Sequence, residues 1–144
     1  MGAWVSFRSV VDPSDCDFLG HMNVSRYFAA CSDAVTALQC ELGLTGRDMR
    51  GGRRLSFAVV HAESDFRAEL SAGDSIWMES GIEVIGGKSM TFRHELYRAP
   101  ARELAFATRF KCVLLSLETR RAVDIPDDLR AAAEKFLTAS SSVG

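Results

Sequence analysis

Hydrophobic residues along the chain recur with two different periods, which predicts one long helix among several strands. From Val24 to Leu42 the apolar positions fall three and four residues apart, and this spacing places them on one face of a helix. The stripe consists of Val24, Tyr27, Phe28, Cys31, Ala34, Val35, Leu38 and Leu42. Asn23 is suited to be the N-cap, because its side-chain oxygen accepts a hydrogen bond from a first-turn amide, and Gly43 is suited to end the helix.

Strands are predicted before and after this helix. Residues 3–11 mix β-branched and aromatic residues and stop at the turn sequence DPSD. Residues 55–70 and 75–85 have strand character, and Gly86 and Gly87 are expected to supply the positive φ angles of a tight hairpin. The next two strands alternate between two faces. One face carries Met90, Phe92, His94 and Leu96 in the first of them and Phe106, Thr108, Phe110, Cys112 and Leu114 in its partner.

The remaining segments complete a single domain over residues 1–137. Residues 46–54 are predicted as a glycine- and arginine-rich connection, and residues 138–144 as a flexible tail. Residues 124–136 are predicted as a short closing helix with Pro126 in its first turn. A lone helix cannot bury its apolar stripe by itself, so we expect an α+β fold in which an antiparallel sheet of about five strands wraps around the long helix.

The face of the sheet that points away from the helix bears on oligomeric state. Trp77, Val113 and Leu115 are predicted to be exposed there. An exposed apolar patch on a small domain favours association of two copies. We therefore expect a homodimer or a homotetramer.

Composition narrows the possible functions. The 144 residues include 47% hydrophobic and 25% charged residues, as in folded globular domains, and the net charge of -2 does not favour binding to nucleic acid. The four cysteines form no C-x-x-C pair and no signal-peptide pattern opens the chain, so we expect a reducing cytoplasm. No apolar run approaches the roughly 20 residues that cross a bilayer, so a membrane partner is not expected.

The stretch DCDFLGHMN, residues 15–23, interrupts the apolar pattern just before the helix. A helix N-terminus presents unpaired amide N–H groups and a partial positive charge, so it can stabilise an oxyanion placed there. Asp17 lies six residues before Asn23, and its carboxylate can attack an acyl carbon or deprotonate a water. Asp, Gly and Asn are also ordinary turn and cap residues. The residues alone leave a catalytic and a structural interpretation open.

The longer stretch DCDFLGHMNVSRYF resembles the D-x-D-x-x-G-H-x-N-x-x-x-Y signature of hotdog-fold thioesterases, a group that includes 4-hydroxybenzoyl-CoA thioesterase. The segment VVHAESDFRAELSAGDSIWMES is similar to the second strand of that family and its turn into the third. The resemblance implies a hotdog fold and hydrolysis of an acyl-CoA thioester to a carboxylic acid and free coenzyme A. It also implies that Asp17 is the general base or nucleophile and that no cofactor is needed beyond the coenzyme A of the substrate.

The other motif residues have expected roles of their own. Gly20 allows the loop to approach the substrate closely. Asn23 can cap the helix, hold the lytic water or hydrogen-bond the substrate carbonyl, and these roles are compatible. His21 is expected to position the loop or the catalytic carboxylate through a ring N–H. Tyr27, one turn into the helix, is expected to serve in packing.

One departure from the family pattern concerns a second carboxylate. Many relatives carry Glu or Asp on the helix five residues after the tyrosine, whereas this chain has Ser32 there and Asp33 one position later. One residue rotates a helical side chain by about 100°, so it is open whether Asp33 faces the same pocket. Asp15 is expected to be a solvated turn residue or to bind the loop backbone. Asp17 is therefore the main candidate for the catalytic carboxylate.

Substrate binding is assigned to residues outside the motif. His61 is expected to line the acyl pocket on the same side of its strand as Val59. Arg53, Arg54 and Lys88 are expected to bind the phosphates of coenzyme A, although a solvated basic loop explains them equally well. The histidines lack the spacing of metal ligands, so no metal is expected.

Two other functions fit the same fold. One is a noncatalytic module that binds acyl thioesters without cleaving them, and the other is a thioesterase acting on acyl-carrier protein. A serine hydrolase is excluded because the G-x-S-x-G elbow is missing, and a dehydratase is disfavoured because no D-x-N-P-x-H-like pair occurs.

Overall fold

The computed structural model describes residues 4–138 and contains five strands and three α-helices in that part of the chain. In chain order they are β1 (Trp4–Val10), α1 (Val24–Leu42), α2 (Gly46–Gly51), β2 (Leu55–Phe66), β3 (Ser75–Ile85), β4 (Ser89–Arg98), β5 (Glu103–Ser116) and α3 (Asp127–Glu134). A 3-10 turn, Pro13–Asp15, follows β1. Within residues 4–138, no helix combines the length and the apolar character needed to cross a membrane. The predicted tail lies almost entirely outside the described residues.

The strands form one antiparallel sheet in the order β1-β3-β4-β5-β2, so β1 and β2 are its two edges. α1 lies against one face of this sheet, here called the inner face. The rings of Phe106 and Phe110 on β5 contact Tyr27 and Phe28 on α1, with centroid distances of 5.1 Å and 6.4 Å for the pairs Tyr27 with Phe106 and Phe28 with Phe110. The predicted α+β architecture, a five-stranded antiparallel sheet around one long helix, is confirmed.

α1 has the predicted bounds and both predicted caps. The side chain of Asn23 accepts a hydrogen bond from the backbone N–H of Ser25, and Gly43 adopts a left-handed conformation with φ of 103°. The buried positions are Tyr27, Ala30, Cys31, Ala34, Val35, Leu38, Gln39 and Leu42. Val24 and Phe28, also part of the predicted stripe, are exposed. Their exposure places apolar surface at the N-terminal end of the helix.

Two predicted segments differ from the observed ones. The connection predicted at residues 46–54 contains α2, because Thr45 and Asp48 form reciprocal hydrogen bonds that cap a helical turn. The strand predicted over residues 55–70 ends at Phe66, because the amides of Arg67 and Ala68 both turn towards the carbonyl of Ala105 instead of continuing the ladder.

The predicted role of the Gly86–Gly87 pair was wrong. Neither residue has a positive φ angle. The amide of Gly86 donates to the carbonyl of Ser89 at 2.7 Å, and a Cβ atom at Gly86 would lie 3.1 Å from the Ser89 hydroxyl. Residue 86 is therefore closely approached by Ser89 and is not in a left-handed turn.

The predicted apolar patch on the outer face of the sheet is covered by the chain itself. Trp77 is half-buried, stacks on Tyr97 at 5.7 Å and lies under the guanidinium of Arg8 at 6.0 Å. Val113 and Leu115 are also half-buried. The prediction that these three side chains are exposed was wrong, and Trp77 is covered because an aromatic and a charged side chain from other strands pack against it.

A buried polar chain crosses the inner face of the sheet beneath α1. The hydroxyls of Ser6 and Ser80 are 2.7 Å apart, and the Ser80 hydroxyl is 2.6 Å from Nδ1 of His94. His94 is 0% exposed, its ring meets Phe110 edge-on, and its Nε2 atom has no hydrogen-bond partner among the described residues. Burial lowers the pKa of His94 to about 3, so the imidazole is neutral in the folded protein.

This burial predicts a specific loss of stability in acid. Because the folded pKa of His94 lies below the ordinary value of 6.5, the folded state is favoured fully above pH 6.5 and loses this contribution as the pH falls towards 3. Between pH 6.5 and 5.0 the free energy of unfolding should fall by about 2 kcal/mol through this group. Urea unfolding of the wild type and of His94→Gln at both pH values measures it. Equal losses in the two proteins would contradict the assignment.

Candidate active site

Residues 15–23 form a small hairpin that ends at the start of α1. Cys16 and Met22 form an antiparallel bridge, and the amide of Asp17 donates to the carbonyl of His21 at 3.1 Å. The turn between them closes through the amide of Gly20, which donates to the carbonyl of Asp17 at 2.9 Å, and Gly20 has a φ of 84° that favours glycine. This geometry holds Asp17 beside the helix N-terminus.

The carboxylate of Asp17 is held by two donors. Its Oδ1 atom accepts from the backbone N–H of Leu19 at 2.9 Å, and its Oδ2 atom accepts from Nδ2 of Asn23 at 3.3 Å. The other end of the Asn23 amide, Oδ1, accepts from both the backbone N–H and the hydroxyl of Ser25 at 2.9 Å and 2.8 Å. Asn23 therefore links the carboxylate directly to the first turn of α1.

The first-turn amides of α1 are mostly used within the chain. The Ser25 N–H donates to Asn23 Oδ1, and the Arg26 N–H donates to the Asn23 carbonyl at 2.9 Å. The Val24 N–H has no acceptor among the described residues. One amide at the positive end of the helix dipole is thus free to bind an oxyanion.

The neighbouring motif residues occupy structural positions. Asp15 accepts from the amide of Asp12 at 3.0 Å and approaches Arg26 at 3.5 Å. His21 pairs through Nε2 with Glu69 at 3.1 Å, so its ring does not bind the carboxylate of the loop. Tyr27 is buried between aromatic rings, and this burial raises its pKa. These contacts support the hairpin rather than present further reactive groups.

Two clefts flank α1, and Ser32 lines one of them whereas Asp33 lines the other. We call the larger one the helix–strand groove; it lies between α1 and β2 and has a volume of about 460 Å³. Its lining is Phe28, Ser32, Val35, Thr36, Gln39, Met49, Ser56, Phe57, Val59, Ala62 and Phe110. Asp33 instead lines a cleft of about 150 Å³ on the β1 side, with Asp15 and Arg26. Asp33 thus does not replace the carboxylate that many relatives carry at the position of Ser32.

The expected position of His61 was wrong because β2 contains a bulge. Val59 pairs with Cys112, whose side chain is buried on the inner face, but His61 pairs with Lys111, which is exposed on the outer face. The extra residue in the bulge reverses the alternation. His61 hydrogen-bonds Glu63 at 3.2 Å and, within its own chain, does not reach the helix–strand groove.

The basic residues assigned to coenzyme A gather at the far end of α1. Arg53 pairs with Asp128 on α3, and Arg54 donates to the carbonyls of Arg50 and Leu117. Lys88 is exposed in the turn between β3 and β4, beside this same end of the sheet. α1 has 19 residues and is therefore about 28 Å long, so within one chain these cations lie far from Asp17.

Within residues 4–138, neither the buried thiols nor a cluster of metal ligands offers a second site. Burial raises the pKa of the Cys31 and Cys112 thiols to about 12, which makes both poor nucleophiles. Among residues 4–138, no three His, Cys, Asp or Glu side chains form a group that could hold a metal ion.

Sequence reasoning missed two features of the chain, of which one lies next to the candidate carboxylate. Phe18, next to Asp17, is 96% exposed, and Leu19 is also exposed. Gln39 is buried on α1 although its type suggested a solvated position. The sequence does show two apolar residues, Phe18 and Leu19, in the turn between Asp17 and Gly20. No local sequence signal indicates that Gln39 is buried.

Comparison with known proteins identifies the family and the fold. The sequence model of the thioesterase-like superfamily matches residues 11–133 of this chain. A 1,4-dihydroxy-2-naphthoyl-CoA hydrolase of Prochlorococcus marinus (strain MIT 9303) is 26% identical over 95% of this chain and 91% of its own.

Two solved structures show the same fold. A hypothetical protein of Staphylococcus aureus, solved in complex with CoA, has a TM-score of 0.86 with 17% identity and covers 100% of this chain and 90% of its own. A 1,4-dihydroxy-2-naphthoyl-CoA thioesterase of Synechocystis has a TM-score of 0.79 with 19% identity and covers 92% of this chain and 96% of its own. The predicted hotdog fold is confirmed, and with most of its length matched by the family, this chain belongs to the thioesterase-like superfamily.

Proposed function

We propose that the protein hydrolyses an acyl-CoA thioester to a carboxylic acid and free coenzyme A. The observation that carries the proposal is the carboxylate of Asp17 held by the N-cap residue Asn23 at the positive end of α1. The names of the Prochlorococcus and Synechocystis relatives and the CoA bound to the Staphylococcus protein support this substrate class. The reaction consumes no cofactor beyond the coenzyme A of the substrate. The four cysteines are free, which suits a reducing cytoplasm.

In the proposed reaction the thioester carbonyl lies at the tip of α1. The free Val24 N–H donates to the carbonyl oxygen, and the negative charge that develops there is stabilised by the helix dipole. Asp17 then acts in one of two ways. In the first, its oxygen attacks the acyl carbon, the C–S bond breaks to release the thiolate, and water cleaves the resulting anhydride. In the second, it removes a proton from a water whose oxygen attacks the acyl carbon, the C–S bond breaks, and the leaving thiolate takes up the proton.

Replacement of the carboxylate tests the proposal. Asp17→Asn keeps the shape and can still accept from Leu19, but it cannot act as nucleophile or base. We expect kcat for release of free thiol from acyl-CoA to fall by about 10² to 10⁴-fold. Thiol release is followed on a panel of aliphatic and aromatic acyl-CoAs.

Asp15→Asn and Asp33→Asn serve as matched controls, because Asp15 accepts from the Asp12 amide and Asp33 lines the cleft on the β1 side. Each should retain most of the activity. If wild type binds acyl-CoA without turnover, the protein is a binding module and the thioesterase proposal fails. If turnover is higher on acylated carrier protein than on every acyl-CoA, the substrate is an acyl-carrier-protein thioester rather than an acyl-CoA.

A second pair of variants separates the two contacts of Asn23. Asn23→Ser retains a capping oxygen but loses the donor to Asp17, whereas Asn23→Ala loses both. We expect Asn23→Ala to lower the free energy of unfolding by about 1 kcal/mol and Asn23→Ser to change it by much less. Both should lower kcat, as measured by thiol release alongside urea unfolding. Full activity in Asn23→Ser would show that the link to Asp17 is dispensable.

We also propose that the active enzyme is a dimer joined through the free edge of β2. This edge is 12 residues long and carries exposed apolar side chains at Val59, Val60 and Phe66, and the helix–strand groove opens beside it. A long apolar edge strand is a template for pairing with another strand. In a two-fold dimer the same strand of each copy pairs with the other, so the two β2 strands run antiparallel.

This arrangement would bring the two ends of the site together. Within one chain, Phe66 at the end of β2 contacts Tyr27 near the start of α1, while Arg54 precedes the start of β2. Antiparallel pairing places the start of β2 of one copy beside the end of β2 of the other. The basic end of each chain then lies beside the Asp17 end of its partner, within reach of the phosphates of coenzyme A.

The proposed interface is tested with two equivalent surface changes. Val60 on the β2 edge and Val84 on β3 are 58% and 56% exposed, so Val60→Lys and Val84→Lys add the same charge at similar exposure. We expect Val60→Lys to elute as a monomer of 15.8 kDa with strongly reduced thiol release, and Val84→Lys to behave as wild type. Light scattering coupled to gel filtration gives the mass. A dimeric, active Val60→Lys protein would place the interface elsewhere.

A further inference from the structure

Gln39 occupies an unusual position on α1. It is 3% exposed, although glutamine is seldom enclosed to this degree. Its Oε1 atom accepts two hydrogen bonds from β2, from the backbone N–H of Phe57 at 3.1 Å and from the hydroxyl of Ser56 at 3.3 Å. Because a backbone N–H fixes which end of the amide is the acceptor, the orientation of the Gln39 side chain is determined.

The donor end of this amide is left unused. No residue in the range 4–138 accepts a hydrogen bond from Nε2 of Gln39, and the side chain lines the helix–strand groove. The hydroxyl-bearing residues Ser32 and Thr36 line the same helical wall, and Phe57 and Phe110 line the facing wall. A buried amide with a free N–H at the wall of an apolar groove is a polar feature that can fix the orientation of a ligand.

Gln39 lines the helix–strand groove, whereas Arg53 and Lys88, which are proposed to bind coenzyme A, are exposed on the surface, so we relate Gln39 to the acyl group. Gln39 lies eleven positions after Phe28, about 16 Å further along α1. Along β2, Phe66 lies at the level of Tyr27 and Phe57 at the level of Gln39. In the proposed dimer the helices run antiparallel, so the N-terminal end of α1 in one copy lies beside the Gln39 end in the other. An acyl group bound at Asp17 of one copy would then extend towards Gln39 of the other.

We propose that the free Nε2–H of Gln39 donates a hydrogen bond to an oxygen on the acyl group, remote from the thioester. This inference rests on the proposed thioesterase function and deepens it. The preferred substrates are acyl thioesters whose acyl group carries a hydroxyl, ether or oxo oxygen, and the apolar walls formed by Phe28, Phe57 and Phe110 enclose the carbon frame. An acyl group without such an oxygen leaves the amide unpaired in the closed site, and this disfavours it.

The experiment uses pairs of substrates that differ in one atom or group. 4-Methoxybenzoyl-CoA is compared with 4-ethylbenzoyl-CoA, and 3- and 4-hydroxybenzoyl-CoA with the corresponding methylbenzoyl-CoAs. For the full-length wild type we expect kcat/KM to favour the oxygen-bearing member of at least one pair by about tenfold, mainly through KM. No preference in any pair overturns the inference.

Three variants locate the preference at Nε2. Gln39→Glu keeps an oxygen for Phe57 and Ser56 but replaces the donor by an acceptor, and Gln39→Met removes both at similar length. Both should reduce the preference for the methoxy over the ethyl substrate to within about twofold. Ser56→Ala is the matched control, because it removes a partner of Oε1 and leaves Nε2 in place. It should retain the preference.

Thermal unfolding accompanies these measurements so that loss of folding is recognised. If Gln39→Met is unfolded, Gln39→Glu carries the test, because it preserves the contacts to β2. A folded Gln39→Glu protein that keeps the wild-type preference for the methoxy substrate overturns the inference.

A binding measurement separates this inference from the proposed function. Phenacyl-CoA thioethers with 4-methoxy or 4-ethyl substituents cannot be hydrolysed, and calorimetry gives their affinities. If wild type cleaves no thioester but binds the methoxy compound about tenfold more tightly, and Gln39→Glu does not, the thioesterase proposal fails and the role of Gln39 stands. If wild type cleaves thioesters but binds both thioethers equally, the thioesterase proposal stands and the role of Gln39 is overturned.

Discussion

The packing of the α1 apolar stripe on the inner face of the sheet is the interaction on which the rest of the structure depends. A helix of this length is only marginally stable in water by itself. Leu38, Cys31 and Ala34 are fully enclosed, and burial of a leucine side chain contributes about 1.5–3 kcal/mol. Because the stripe fixes the helix, it also fixes the positive end of the helix dipole. The hairpin of residues 15–23 is hydrogen-bonded to that end and takes its position from it.

The contacts of Asn23 explain how the carboxylate of Asp17 is held at a helix terminus without itself serving as the helix cap. The cap uses the acceptor end of the side-chain amide and satisfies the Ser25 N–H, and the donor end holds Asp17. Both donors to the carboxylate, the Asn23 amide and the Leu19 N–H, are neutral, so they orient Asp17 without forming an ion pair with it. The Val24 N–H has no acceptor among residues 4–138. The same few atoms thus serve stability and the proposed chemistry.

The separation of charge along the chain is consistent with a site shared between two copies. The carboxylate lies at one end of a 28 Å helix, and the cations Arg53, Arg54 and Lys88 lie at the other. Coenzyme A needs cations for its phosphates and a reactive group near its thioester. A single chain presents these at opposite ends, and antiparallel pairing of β2 edges reconciles them. Phe18 and Leu19, next to Asp17, are also exposed in the single chain.

Local sequence determined the helix and its caps, whereas the hydrogen bond from Asn23 to Asp17 was found only in the structure. The helix and its caps depend on residues within about one or two helical turns, so the 3.6-residue period and the cap chemistry suffice to predict them. Likewise, the alternation of β4 and β5 indicated which side chains face α1, and His94 is buried there as that alternation implies.

Tertiary structure decided the features that depend on distant segments. The bulge in β2 turned His61 to the outer face, and only the pairing with β5 reveals it. Trp77 is covered because β1 places Arg8 over it. Gln39 is buried because β2 presents an amide and a hydroxyl opposite it. In each case the deciding partner lies far away in sequence, and the period of a single element carries no information about what packs against it.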